Sequence, residues 1–293
     1  MSRRRSLEAH RHNLAEIREI MNSMKTLAYM ETRKLGRRLE AQQAVVDAQR
    51  TAAAALLQAH PELRPPPDSA GRPALYLLLG SERGLCADFN QRLLRHLEAT
   101  LPAGTGPSHR FLCVGNKLAG LMEDDPRVVG VLEGVSIVEE ITLRLSALVE
   151  TVLRLRSEHA LFGLRAVLCT AGEVQEHALL PTFHDLPAEN PGAARLPPLL
   201  NQPPELCFAQ LAELHLPLLL QWMLHAALME ENRLRVSHLD SAVRHLDDEE
   251  TNLARRSNIL RQEEIIEEIE VILLSAASIA ANRAAMGSGS EPR

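Results

Sequence analysis

The stretch GSERGLCADFN, Gly80–Asn90, gathers two glycines, two carboxylates, an arginine and a cysteine just after a short apolar run. A phosphate-cradling loop would be sought there, because backbone N–H groups at a strand-to-helix turn accept anions. The spacing is neither GxGxxG nor GxxxxGK[ST], so Gly80 and Gly84 read as turn glycines. Twelve histidines form no HExxH; His10 and His12 sit on a polar helical stretch, and His238 and His245 lie seven apart on another. Neither pair has the donor set of a metal site. No GxSxG occurs, and no cysteine has a histidine placed nearby to activate it. Asp247–Glu250, the run DDEE, reads as a solvated helix face. The expectation is therefore no catalytic site, no cofactor and no metal. Cys86, Cys113, Cys169 and Cys207 are dispersed and never spaced CxxC, which reads as buried free thiols in a reducing compartment.

The elements that hold these residues fall into three blocks. Residues 1–60 contain no proline and one glycine, and Leu7, Leu14, Met21, Ala28 and Leu35 recur at sevens, with Ile17 and Met24 on a neighbouring line. That is one long amphipathic helix with near-heptad spacing, ended by HPELRPPPD at His60–Asp68. Residues 73–205 change pattern. ALYLLLG (74–80), RFLCVG (110–115), RVVGVL (127–132) and LRAVLCT (164–170) are short apolar runs. Helical stretches near Asp88–Leu101, Lys117–Asp124 and Glu139–Glu158 separate them, which predicts a parallel-sheet, Rossmann-like α/β domain. HALLPTF, His177–Phe183, is a candidate edge strand, and the proline-rich NPGAARLPPLLNQPPE, Asn190–Glu205, is a surface loop. Residues 206–286 form the third block. From Pro217 to Met286 there is no glycine and no further proline, and Leu239, Leu246, Leu253 and Leu260 again recur at sevens. Residues 287–293 read as a disordered tail.

Helices this long need a partner along the apolar seam. The first and last blocks are predicted to pair as an antiparallel coiled coil. Residues 1–50 carry eleven Arg/Lys against six Asp/Glu, and residues 211–282 carry six against thirteen, so their charges are complementary. The second helix outreaches the first, and its tip VILLSAASIAA has no intrachain partner in prospect. The net charge of −6 excludes a general nucleic-acid binder. The basic opening MSRRRSLEAH lacks an apolar h-region, so no secretory signal is expected. LHLPLLLQWMLHAALM, Leu214–Met229, reads as the buried start of a helix, too short for a span. No direct membrane insertion is expected.

Three motifs, in order along essentially the whole chain, resemble the gamma subunit of the rotary F-type ATP synthase. IMNSMKTLAYMETRK (20–34) is similar to ITxAMxMVAxxKxRK at Ile20, Met24, Ala28, Arg33 and Lys34, and departs at Met21, Lys25 and Glu31. SERGLCADFN (81–90) is similar to SDRGLCGGLN at Arg83, Gly84, Leu85, Cys86 and Asn90, with Ala87 and Asp88 replacing two glycines. NILRQEEIIEEI (258–269) is similar to NKARQAxITxEI at Asn258, Arg261, Gln262, Ile265, Glu268 and Ile269. Glu231 and Arg235 fit SEHAARMVAMKAATDNA, whose latter half is lost at Ala242, Val243, Arg244 and His245; Glu249 and Glu250 stand where apolar residues are common. The departures suggest a divergent branch.

The resemblance implies a non-catalytic subunit: a shaft turned by ion flow through a membrane c-subunit ring, inside a ring of alpha and beta subunits. Asn258, Arg261, Gln262, Met24 and Lys25 would contact beta. Arg83, Gly84 and Asn90 would lie in the foot, towards epsilon and the c ring, or fix a turn. Ile272, Leu273 and Ile279 would form the bearing tip. The place implied is the cytoplasmic face of a bacterial plasma (inner) membrane, reached through the complex. Two other classes compete: a stand-alone α/β enzyme with a coiled-coil arm, which would need a catalytic signature in residues 74–171, and a coiled-coil adaptor with a globular head.

Overall fold

The sheet is built on β1, Ala74–Leu79, whose sequence ALYLLL is buried at every position. A strand apolar on both sides belongs in the middle of a sheet covered on both faces. Its neighbours are β2 (Arg110–Val114) and β4 (Gly163–Thr170), both parallel to it. β3 (Val128–Leu132) pairs in parallel with β2, and β5 (Glu173–Leu180) closes the other edge antiparallel to β4, giving the order β3-β2-β1-β4-β5. In this computed structural model residues 3–66, 72–101, 109–187 and 198–287 are described, with side chains from 5 to 277. The helices are α1 (Arg3–Ala59), α2 (Phe89–Thr100), α3 (Asn116–Leu121), α4 (Ile141–Glu158) and α5 (Pro204–Gly287). The chain falls into two compact units, Lys25–His238 and the pair Met1–Met24 with Leu239–Arg293.

In the unit Lys25–His238, strand alternation sorts the core into two layers. Leu75, Leu77, Leu79, Leu112, Ala166 and Leu168 pack against α4 and against Leu35 of α1 and Leu220, Met223 and Leu224 of α5. Tyr76, Leu78, Phe111, Cys113, Val167 and Cys169 pack against Phe89, Leu93 and Leu97 of α2 and Leu118 of α3. α5, over Pro204–Ala277, contains a stretch long and apolar enough to raise the question of a membrane span by length and composition alone. In Leu214–Met229, Leu220, Met223, Leu224 and Leu228 are buried in the core. α1 and α5 run antiparallel here: Gln49 Nε2 donates to Leu211 O at 3.1 Å, and Gly36 lies near Met229.

In the other unit the two helices also pair, with Arg18 reaching Asp247 and Glu250 at 3.1 and 2.9 Å. Leu239, Val243, Leu246, Glu250, Leu253, Ser257 and Leu260 form the more buried stripe of α5, alternating four and three residues apart. That is a coiled-coil seam. Glu250, an acid where the resemblance led us to expect an apolar residue, is answered by Arg18.

Two boundaries differ from the sequence expectation. α5 begins at Pro204 and runs through Pro217, which was expected near its start. Proline in a first turn sacrifices no bond, and the loss at Pro217 is offset by burial of the following turns. β5 begins four residues before the HALLPTF stretch. Of the proline-rich loop, residues 190–197 lie outside the described residues, as do 288–293 of the tail.

Candidate functional site

The loop after β1 sits at the carboxyl ends of the strands, where the strand order reverses between β1 and β4. In open α/β sheets that crevice is the place for a ligand. Here it is occupied by the chain itself. Arg235 of α5 donates Nε to Gly84 O at 3.1 Å, one terminal nitrogen to Arg83 O at 3.3 Å and the other to Asn232 Oδ1 at 3.0 Å. The same guanidinium meets the Glu231 carboxylate. Burial raises the Glu231 carboxyl above the usual carboxylate range, while Arg235 and the backbone N–H groups of Arg83 and Glu82 pull it back towards ionisation. A carboxylate thus stands where a phosphate would need the loop's N–H groups.

The rest of the loop is held as tightly. Asn90 Oδ1 accepts from Ser81 N–H at 3.0 Å, and its Nδ2 donates to Ser81 Oγ at 2.9 Å. Asn90 is 6% exposed, so it serves the turn and offers no surface to a partner. The Glu82 carboxylate accepts from Asn116 N–H at 3.0 Å and Gly134 N–H at 2.7 Å, and these bonds with Arg144's charge hold its carboxyl below the usual range despite the opposing, largest effect of burial. Leu85 and Ala87 adopt φ of 63° and 52°. Ala87 therefore carries a left-handed strain that the family's glycine at this place would not. Asp88, the other departure, pairs with Arg92 at 2.8 Å and Arg95 at 3.0 Å. Gly80 is required by packing, not by a turn: a Cβ there would come within 2.3 Å of Leu118. Gly84 contributes its carbonyl. The Arg83 side chain is exposed.

Among the described residues no group of His, Cys, Asp and Glu could hold a metal ion. The cysteines are free, and three of the four are buried as expected, whereas Cys207 is only half-buried. Burial pushes Cys113 up to about 12 and Cys169 up to about 11, which leaves those two as inert thiols.

On α5, Asn258, Arg261 and Gln262 are exposed at i, i+3 and i+4, so they share one face. They make no hydrogen bond or ion pair among the described residues. On α1, Met24 and Lys25 are half-buried. Beyond Gln262 the apolar side chains stand in solvent: Ile265 45%, Ile269 50%, Ile272 64%, Leu273 63% and Leu274 72% exposed. The side chain of Ile279 lies outside the described residues. Sequence reasoning found the three motifs but not what joins them. It did not foresee that Arg235 and Glu231 would close on Arg83 and Gly84, nor that Arg18 would answer Glu250; the four-three continuation from Leu14 through Arg18 to Met21 was the available signal for the latter.

Comparison with solved structures finds the same fold. A chain of the Euglena gracilis mitochondrial ATP synthase, in an OSCP/F1/c-ring structure in rotational state 3, is 13% identical with a TM-score of 0.69, covering 99% of this chain and 97% of that one. A chain of the same organism's rotor in rotational state 1 is 13% identical at 0.62, covering 89% and 98%. A chain of the Tetrahymena thermophila central stalk and c-ring structure is 13% identical at 0.53, covering 76% and 99%. No curated protein matches the chain. A family model described as ATP synthase matches residues 4–279, nearly the whole length. With the two long helices, the central sheet and the motif residues placed as above, the chain belongs to the gamma-subunit family of the ATP synthase.

Proposed function

We propose that the chain is the central rotating shaft of an F-type ATP synthase, without a catalytic site of its own. The observation that carries this reading is the far part of α5: aliphatic residues from Ile265 to Leu274 are all 45–72% exposed, whereas earlier on the helix Leu220, Leu224, Leu228, Leu239 and Leu253 are buried and exposed ones such as Leu206, Leu214 and Ile259 stand singly. Apolar surface of that extent at a free end asks for a sleeve supplied by other subunits. In this reading alpha and beta form the sleeve, with Ile272, Leu273 and Ile279 in the bearing. The foot meets epsilon and the c ring through the exposed part of its loop, Arg83 and Leu85. Ion flow, of protons or sodium, turns the c ring and with it the foot. The complex is membrane-associated, and the chain is peripheral through it, at the cytoplasmic face of a bacterial plasma membrane.

Asn258, Arg261 and Gln262 contact beta. A guanidinium fork and two amides make directed hydrogen bonds, which form at some angles of the shaft and not at others. With the chain assembled with the alpha and beta subunits of its host, Arg261→Ala plus Gln262→Ala lowers ATPase turnover by about tenfold, the equivalent of roughly 1.4 kcal/mol in the rate-limiting barrier. Turnover equal to wild type in an intact complex would remove these residues from the beta contact.

A further inference from the structure

The Glu231–Arg235 pair is nearly as deeply buried as anything polar in the chain, at 3% and 6% exposure. Arg235 takes the carbonyls of Arg83 and Gly84, while the N–H groups of Glu82 and Arg83 bear on Glu231. One short piece of main chain is therefore gripped by its two carbonyls, with the carboxylate paired to that guanidinium beside it. Stability alone does not account for this. Two apolar side chains of similar volume would fill the place without the desolvation cost of two charges. A fork adds direction, because its bonds close at only one height and one azimuth of α5 relative to the loop. The loop cannot follow a turning helix, since Asn90 ties it to Ser81 and Glu82 ties it to Asn116 and Gly134. Its left-handed Leu85 and Ala87 persist because these contacts over-determine them. α5 leaves the compact unit at His238, one turn beyond Arg235.

We propose that the Glu231–Arg235 clamp on the Arg83–Gly84 main chain is the torque-bearing joint of this protein, fixing the angle of α5 against the foot sheet. Rotation of the foot is then delivered to α5 instead of being absorbed as slip. Both are positioning residues. The inference rests on the shaft reading above and goes beyond it by naming the joint.

The test uses the complete membrane complex of the host in sealed vesicles, and reads ATP hydrolysis and ATP-driven ion transport on the same preparation. Glu231→Gln and Arg235→Lys keep hydrolysis near wild type, while ions moved per ATP hydrolysed fall by about fivefold, the size of effect expected when one buried charge-assisted bond is weakened. Arg50→Ala, which removes an exposed ion pair to Asp185 in the same unit, leaves the ratio unchanged. A ratio equal to wild type in both clamp variants, or hydrolysis and transport falling in proportion, overturns the proposal. If Arg235→Lys fails to assemble, the isosteric Glu231→Gln decides by the same ratio. A wild-type chain that never enters the complex would instead sink the shaft reading.

Discussion

Leu220 and Met223 are fully buried on α5, while Leu273 and Leu274, on the same helix, are 63% and 72% exposed. The side chains are of one kind; the difference lies in what surrounds them. In the unit Lys25–His238 the sheet covers the helix, and each strand residue has a partner layer. At the far end α5 has outlived its partner, because its pairing descends as α1 ascends: with Arg18 level with Asp247 and Glu250, the start of α1 at Arg3 reaches only to about residues 262–265. Burial supplied by the chain itself gives a stable foot. Burial left to another chain gives a surface that only an assembly completes.

The sharpest way to break this comparison is to remove the same atoms in both regions. Leu220→Ala destabilises the isolated full-length chain by about 2–5 kcal/mol in denaturant unfolding, the usual cost of a cavity in a packed core. Leu273→Ala leaves that stability within about 0.5 kcal/mol, as for exposed substitutions. Its effect falls on assembly, as weaker retention of the chain by the alpha–beta ring. Equal losses from both would mean that the end of α5 is covered within the chain.

A second contrast is one of pH. His215 of α5 is 3% exposed, bonded to Gln49 at 2.8 Å and stacked near Phe183, and burial pushes it down to about 4. A depressed folded value means the unfolded chain takes the proton first. The stability from a neutral His215 is therefore full above about pH 6.5 and lost as pH falls towards 4, by up to ~3 kcal/mol. His215→Gln flattens this part of the unfolding profile, measured from pH 7 to pH 4. A slope unchanged by the substitution would show that other groups carry it. The exposed end of α5 holds no buried histidine, so hydrogen exchange there should show no matching transition.

The smallest effect concerns strain. Ala87→Gly relieves the left-handed backbone in the foot loop and stabilises the chain by about 0.5–1 kcal/mol. Destabilisation on thermal unfolding would mean that the Ala87 methyl is used in packing.

How much of this was legible depended on whether the signal was local. ALYLLL, RFLCV and LRAVLCT announced central strands because burial on both faces leaves an unbroken apolar run. β5 was half hidden. Its first residues, Glu173–Glu176, are largely polar on an edge, and its turn is Ala171–Gly172, both left-handed, a two-residue hairpin whose usual Asn-Gly signature is missing. The coiled-coil seam was seen only in its apolar half, since Arg18 and Glu250 occupy the other half as charges. The foot loop was recognised as a motif, yet its partner Arg235 lies some 150 residues away in sequence, a distance no periodicity bridges. The exposed end of α5 was legible because its apolar content exceeded any partner the chain could provide.

The most direct test of the shaft is co-expression with the alpha and beta subunits of the same host and purification through a tag on beta. The account predicts an azide-sensitive ATPase holding one copy of this chain per alpha–beta ring, with activity that depends on the chain being present. A chain that elutes alone, soluble and folded, while the ring assembles without it, would contradict the account and favour a coiled-coil adaptor.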